Sequence, residues 1–264
     1  MRKSIFYCTI SFLTILVSCQ KDDHSGPSES YFNESSSKSG GGSGKPSTLN
    51  KGLVAYYSFT GNTNDASGQR NHGTIYGAVT LTTDRYGTAN TAYSFNGSTE
   101  SYINVPMSSS LKIQSQISIA AWIYMDGGYY NPRILSNELS GYDQYYMSVA
   151  GTSNVTRNLE AAITGSAGGS GFCCGGFYGI DVPALSWHYI VFTVDATGLA
   201  KMYLDGSLIK TSQGTLPNNS NYGPNLNIGR NSYPAYDAWG GKLDEIRIYN
   251  RALTQKEINW LATH

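Results

Sequence analysis

The chain has 264 residues, 18 of them basic and 18 acidic, with no net charge. Apolar residues make up 40% and charged residues only 14%, a balance that supports a sizeable core and excludes a disordered polyelectrolyte. No basic patch stands out, so nucleic acid is not an expected partner.

The N-terminus reads MRKSIFYCTISFLTILVSCQKDD. Arg2 and Lys3 form a positive region, and a largely apolar run of 13 residues follows from Ile5 to Val17. A membrane span needs about 20 residues, so the run fits the core of a secretory signal. Leu16-Val-Ser-Cys19 resembles a bacterial lipobox. That resemblance implies a signal over residues 1–18, cleavage before Cys19, and lipid on Cys19. Gln20-Lys-Asp-Asp23 resembles the acidic tag that follows the lipidated cysteine of some surface-exposed Gram-negative lipoproteins. The expectation is an outer-membrane protein, exposed at the cell surface and attached through acyl chains alone. Loss of the signal leaves 16 basic against 18 acidic residues.

Residues 19–48 are rich in Ser, Gly and Pro and nearly lack apolar side chains after the cysteine. Such a segment cannot bury enough surface to offset its ordering entropy and reads as a flexible tether. Residues 49–264 then run without a second linker, a length normal for one all-β domain. Strand-like runs recur at Leu53–Phe59, Ala92–Phe95, Ser101–Val105, Gln116–Met125, Tyr145–Val149, Leu159–Ile163, His188–Val194, Ala200–Leu204, Leu226–Ile228 and Lys242–Tyr249. In Ile117–Met125 every second residue is apolar, which places 117, 119, 121, 123 and 125 on one face. Asp205-Gly206 between apolar flanks predicts a tight hairpin. Thr254-Gln-Lys-Glu257 is a capping box, so a short helix is expected at the C-terminus with Ile258 and Leu261 on its buried face.

Several ordered blocks carry a family resemblance: Leu53-Val-Ala-Tyr-Tyr-Ser-Phe59, Gly61-Asn-Thr-Asn-Asp-Ala-Ser-Gly68, Phe95-Asn-Gly97, Trp187-His-Tyr-Ile-Val-Phe192, Met202-Tyr-Leu-Asp-Gly206 and Gly241-Lys-Leu-Asp-Glu-Ile-Arg-Ile-Tyr-Asn-Arg-Ala-Leu253. Together they resemble the laminin-G-like domains of bacterial surface proteins, within the concanavalin A-like lectins and glucanases. The resemblance implies an all-β jelly-roll sandwich of two antiparallel sheets closed by a short C-terminal helix. It also implies a structural Ca²⁺ as an expected cofactor, with Asp65, Asn71 and Asp244 as ligands or supports. Hard oxygen donors on a Gly-rich loop suit that ion. A network of Asx turns is the alternative for the same loop.

Catalytic patterns are sparse. Retaining glycosidases need two carboxyls about 5 Å apart, and the Glu-x-Asp-x-x-Glu run of laminarinase-type enzymes is missing. Asp244 and Glu245 are neighbours, which on a regular strand sends them to opposite faces. The histidines lack Cys or His partners at zinc spacing. No catalytic residue is therefore expected.

Tyrosine occurs 21 times, and several aromatics fall in apparent loops. Tyr129, Tyr130, Tyr142, Tyr236 and Trp239, with Arg133 as a polar partner, form a candidate carbohydrate surface, because a flat ring covers the C–H face of a sugar. Of the four cysteines, Cys8 leaves with the signal and Cys19 takes lipid, so Cys173 and Cys174 have only each other in an oxidising compartment. They form a vicinal disulfide, a plain loop staple or two thiols. As a closed ring flanked by Phe172 and Phe177 they would be a compact apolar platform. The reading that unites these features is a surface-anchored, non-catalytic module that binds polysaccharide. A protein-binding adhesion module, with surface protein partners, and a divergent glycoside hydrolase are the alternatives.

Overall fold

The computed structural model describes residues 44–126, 132–139, 142–150, 158–164, 172–173, 181–214, 222–231 and 237–264. The chain divides into two units, Met1–Gly42 and Ser43–His264, and only the second contains described residues. The signal, Cys19 and most of the tether thus lie outside the described residues, as do Tyr129, Tyr130, Cys174, Phe177 and Tyr236.

The strands in chain order are β1 (Leu53–Tyr57), β2 (Thr74–Tyr76), β3 (Val79–Thr82), β4 (Ala92–Asn96), β5 (Tyr102–Pro106), β6 (Ile117–Met125), β7 (Arg133–Leu139), β8 (Tyr142–Ala150), β9 (Asn158–Thr164), β10 (Phe172–Cys173), β11 (Trp187–Val194), β12 (Leu199–Leu204), β13 (Ser207–Gln213), β14 (Asn225–Ile228) and β15 (Gly240–Tyr249). Helix α1 (Gln255–Leu261) follows. All pairings are antiparallel, and the strands form two sheets. The first runs β13-β12-β11-β6-β15-β4-β3, with β1 also on β15; the second runs β10-β9-β8-β7-β14-β5-β2. This is the expected concanavalin A-like sandwich. Strands β2, β3, β7 and β10 are absent from the strand-like runs of the sequence because they are short or flanked by turn residues, and β13 is foreshadowed only by its hairpin turn.

Alternation decides which side chains meet between the sheets. Ile117, Ile119, Ala121, Ile123 and Met125 of β6 join Ile190, Phe192 and Val194 of β11 in the main core, against Leu135, Met147, Leu226 and Ile228 of the second sheet. Burial of each large apolar side chain contributes about 2 kcal/mol. The opposite face of β6 and β11 is also covered. Ala120, Tyr189 and Val191 form a second cluster with Leu49, Tyr203, Tyr249, Leu253, Ile258 and Leu261, so α1 sits on the outer face of the first sheet. Central strands buried on both faces read as nearly continuous apolar runs.

The helix start is as predicted. Glu257 N–H donates to Thr254 Oγ1, and Thr254 N–H donates to Glu257 Oε2 at 2.9 Å. Arg251 grips the same carboxylate with both terminal nitrogens, at 2.9 and 2.7 Å, and Thr48 Oγ1 donates to it at 2.6 Å. The Asp205-Gly206 turn also forms, both residues left-handed (φ 50° and 82°), as a type I′ hairpin requires.

Candidate functional site

The outward face of the second sheet gathers polar and aromatic side chains. On β5, Ile103 and Val105 point to the core, so Tyr102 and Asn104 point out. Register places Asn104 opposite Asn227 of β14, Asn227 opposite Ser136 of β7, and Ser136 opposite Tyr146 of β8. Asn104 Nδ2 donates to Asn227 Oδ1 at 3.0 Å, and Ser136 Oγ donates to Asn231 Oδ1 at 3.2 Å. Next to this row, Arg133 lies over the Tyr146 ring at 4.2 Å, donates to Ser148 Oγ at 3.0 Å and faces Asp237 at 3.8 Å. Asn231 Nδ2 donates to the same aspartate at 3.2 Å.

At the β2 flank the face becomes aromatic. Tyr76 and Tyr102 stack with ring centroids 4.9 Å apart and planes within 7°. The Arg230 guanidinium lies 3.4 Å from the Tyr102 centroid and is anchored by a 2.9 Å bond to Thr99 O. Tyr76 stays 47% exposed. Asn227 and Ser136 are buried, 3% and 0% exposed, so the open part of this face is Tyr76 with the partly exposed Tyr102, Asn104 and Arg230, an aromatic plane edged by one amide and one guanidinium. That mixture suits a neutral, hydroxyl-rich ligand with an apolar face.

Of the predicted surface residues, Arg133 lies in this network. Trp239 does not: it is wholly buried in the main core, and its backbone N–H donates to Gly229 O at 2.8 Å. Its glycine-rich flank looks like a loop in sequence but is the start of β15. The backbones of Tyr142, Phe172 and Cys173 lie on β8 and β10, while their side chains are outside those described. Tyr76 and Tyr102 were missed. Their signal is a cross-strand pairing, which no local pattern contains.

Of the expected calcium ligands, Asp65 and Asn71 meet in one loop network, and Asp244 is engaged elsewhere. Asp65 Oδ1 accepts from the N–H groups of Tyr56 (2.9 Å) and Ser67 (2.8 Å). Its Oδ2 accepts from Ser67 Oγ (2.8 Å) and Asn71 N (2.9 Å). Asn71 Oδ1 accepts from Ser108 Oγ at 2.6 Å, and its Nδ2 donates to Val54 O at 2.7 Å. Hydrogens therefore point at these oxygens, the opposite of what a cation requires. Asp244 lies on β15 and pairs with Arg85 at 3.2 Å. Among the described residues no group of three His, Cys, Asp or Glu is placed to hold a metal. The loop is a turn network, and these residues do not fit a calcium site.

Asp244 and Glu245 also depart from expectation. Leu243 and Ile246 both face the core, so two residues intervene where a regular strand has one. Glu245 takes up the extra residue as a bulge with left-handed φ of 52°. Both carboxylates consequently project to the outer face. Tyr56 Oη donates to Glu245 at 2.9 Å, and Arg247 pairs with the same carboxylate while covering the Tyr56 ring at 3.9 Å. Glu245, Tyr56, Arg247, Tyr249 and Trp260 line a cavity of about 240 Å³ beside α1. Burial, with the Glu245 charge added, pushes the Asp244 carboxyl up to about 7 against the pull of Arg85.

Residues 96–259 match the family profile described as Concanavalin A-like lectin/glucanases superfamily. No curated protein matches the chain in sequence. Among solved structures, domain 4 of AbnA, a GH43 extracellular arabinanase from Geobacillus stearothermophilus in complex with arabinotriose, is 22% identical with a TM-score of 0.63, over 80% of this chain and 98% of that one. The binding domain of botulinum neurotoxin DC in complex with SialylT is 13% identical with a TM-score of 0.61, over 81% of this chain and 51% of that one. The binding domain of Paraclostridial Mosquitocidal Protein 1 is 18% identical with a TM-score of 0.57, over 81% and 52%. The chain thus spans about half the length of the toxin domains, and at these identities the likeness is one of fold. The sandwich and the profile match over more than half the sequence agree: the chain belongs to the concanavalin A-like lectin/glucanase superfamily.

Proposed function

We propose that the domain binds polysaccharide without cleaving its glycosidic bonds, and that the outward face of the second sheet is the binding surface. The observation that carries this reading is the Tyr76–Tyr102 stack beside the partly exposed Asn104 and Arg230. A pyranose or furanose ring laid on Tyr76 would bury its C–H face, and the Asn104 amide and the Arg230 guanidinium would hydrogen-bond its hydroxyls. Two of the similar folds are complexed with oligosaccharides by name, arabinotriose and SialylT, which supports the ligand class. We further propose that lipid on Cys19 holds the domain at the outer membrane, within reach of external polysaccharide. Affinity electrophoresis in gels containing neutral polysaccharides tests the reading. Retardation by at least one of them, weakened by Tyr76→Ala, is expected; unchanged mobility in arabinan, xylan, β-glucan and mannan alike would overturn it.

A further inference from the structure

At the rim of the first sheet three side chains far from the proposed glycan face form a hydrogen-bonded chain. Ser186 Oγ lies 2.8 Å from His188 Nε2, and His188 Nδ1 lies 2.8 Å from Asp205 Oδ2. Ser186 immediately precedes β11 and His188 is the second residue of that strand, and the two side chains meet directly. Asp205 comes from the β12–β13 turn. It is locked to β11 by two further bonds: Tyr189 N–H donates to Asp205 Oδ1 at 2.8 Å, and Asp205 N–H donates to Tyr189 O at 2.7 Å.

Hydrogen-bond chemistry fixes the roles. An ionised carboxylate only accepts, so the imidazole presents Nδ1–H to Asp205. In the neutral ring Nε2 is then the acceptor, and Ser186 Oγ–H donates to it. That order, hydroxyl to Nε2 and Nδ1–H to carboxylate, is the arrangement that activates a serine nucleophile. The chain supplies a second feature. Leu185, immediately before the serine, is held at a left-handed φ of 61° by a 2.9 Å bond from its N–H to Met125 O. Leucine disfavours that conformation, so the backbone is strained one residue before the serine, as it often is at functional sites. The Leu185 side chain is 66% exposed and offers an apolar patch next to the hydroxyl.

We propose that Ser186, His188 and Asp205 are a nucleophilic triad acting on carboxylic esters with a small acyl group, an activity separate from glycan binding. Ser186 Oγ attacks the ester carbonyl while its proton passes to His188 Nε2. The carbon–alkoxy bond breaks, and the departing oxygen takes that proton. Water, deprotonated by the same nitrogen, then releases the acyl group from Ser186 as a carboxylic acid. The sum is ester plus water to acid plus alcohol. The side chain of Asp205 is 47% exposed, so the triad lies on an open rim and suits an acyl group displayed on a large molecule.

The test uses the whole protein. After incubation with a fluorophosphonate probe, a covalent adduct is expected on the peptide carrying Ser186, with at least a tenfold smaller yield in His188→Gln. p-Nitrophenyl acetate hydrolysis should fall to the buffer rate in Ser186→Ala, a variant whose melting temperature reports that it is folded. No adduct at Ser186 in the wild-type protein, or equal labelling of His188→Gln, overturns the proposal. Because neither readout involves polysaccharide, failure here is distinguishable from failure of the glycan-binding reading.

Discussion

Tyr76 on a three-residue edge strand lies flat against Tyr102 of the next strand, 4.9 Å away and within 7° of parallel. Arg230 closes the far side of Tyr102, so the pair is held at its inner end and open at Tyr76. A ring that is preorganised loses little freedom when a ligand lands on it.

Tyr76→Ala should therefore weaken polysaccharide retention by roughly two- to twelvefold, the value of one aromatic contact of about 0.5–1.5 kcal/mol. It should leave the melting temperature nearly unchanged, because the residue is about half exposed. Tyr102→Ala should match that loss of binding and also lower the melting temperature, since it removes the partner of both Tyr76 and Arg230. Affinity electrophoresis and thermal melts of the two variants check this.

The Asp65 loop was expected to hold calcium and instead satisfies its own backbone. Excess chelator should leave the melting temperature of the wild-type protein where added Ca²⁺ leaves it. Asp65→Ala should destabilise by about 3 kcal/mol, because three backbone N–H groups and the Ser67 hydroxyl lose their acceptor together. Differential scanning fluorimetry distinguishes the two outcomes: a chelator-dependent shift would restore the metal.

How much was legible follows from where the information lies. The alternation of Ile117–Met125, the Asp205-Gly206 turn and the Thr254–Glu257 box are local, and each formed as read. The Tyr76–Tyr102 pair is not local, since its partners are brought together by register alone. Trp239 looks like a loop residue in sequence because it precedes Gly240-Gly241, whose pairing with β4 and β6 no local pattern contains. A regular strand would send Asp244 and Glu245 to opposite faces, a rule that one left-handed residue suspends. Ser186 and His188 share a strand start, but Asp205 reaches them only through the hairpin return of β12.

Asp244 should impose a pH dependence on stability. Its carboxyl titrates at about 7 in the folded protein against 3.8 as the ordinary value. The folded state binds the extra proton across that window, so this group's contribution to stability falls as pH rises from about 4 to 7 and is flat above. Asp244→Asn, which stays neutral, should remove the fall. Urea unfolding of both proteins between pH 4 and 8 measures it; parallel curves would show that the carboxylate is ionised throughout.

Glu257 gives the opposite sign. Burial works against its charge, but Arg251, Thr48 and Thr254 hold its carboxyl down to about 2 from an ordinary 4.5. Its contribution is present above about 4.5 and is lost as pH falls toward 2. Glu257→Gln should weaken the wild-type protein by about 3 kcal/mol at neutral pH, leaving Arg251 without its counter-charge. The difference between the two proteins should shrink in acid, measured by urea unfolding at pH 7 and pH 3.

Gly229 ties the core to the glycan-facing flank. Its φ is 87°, and a Cβ there would lie 2.4 Å from the Phe95 ring. Its N–H donates to Ile134 O and its carbonyl accepts from Trp239, so the backbone is fixed on both sides and cannot step back. Gly229→Ala should cost about 3 kcal/mol, adding left-handed strain to an overpacked ring. For a domain of this size that is a fall in melting temperature of roughly 10 °C. Gly61 offers the control, with φ of 74° and open space around its Cβ position. Gly61→Ala meets only the backbone penalty and should lose about a third as much. Because Gly229 directly precedes Arg230, its alanine variant should also weaken polysaccharide retention, through displacement of the guanidinium from Tyr102. Equal melting temperatures for the two alanine variants would show that the Phe95 contact relaxes without cost.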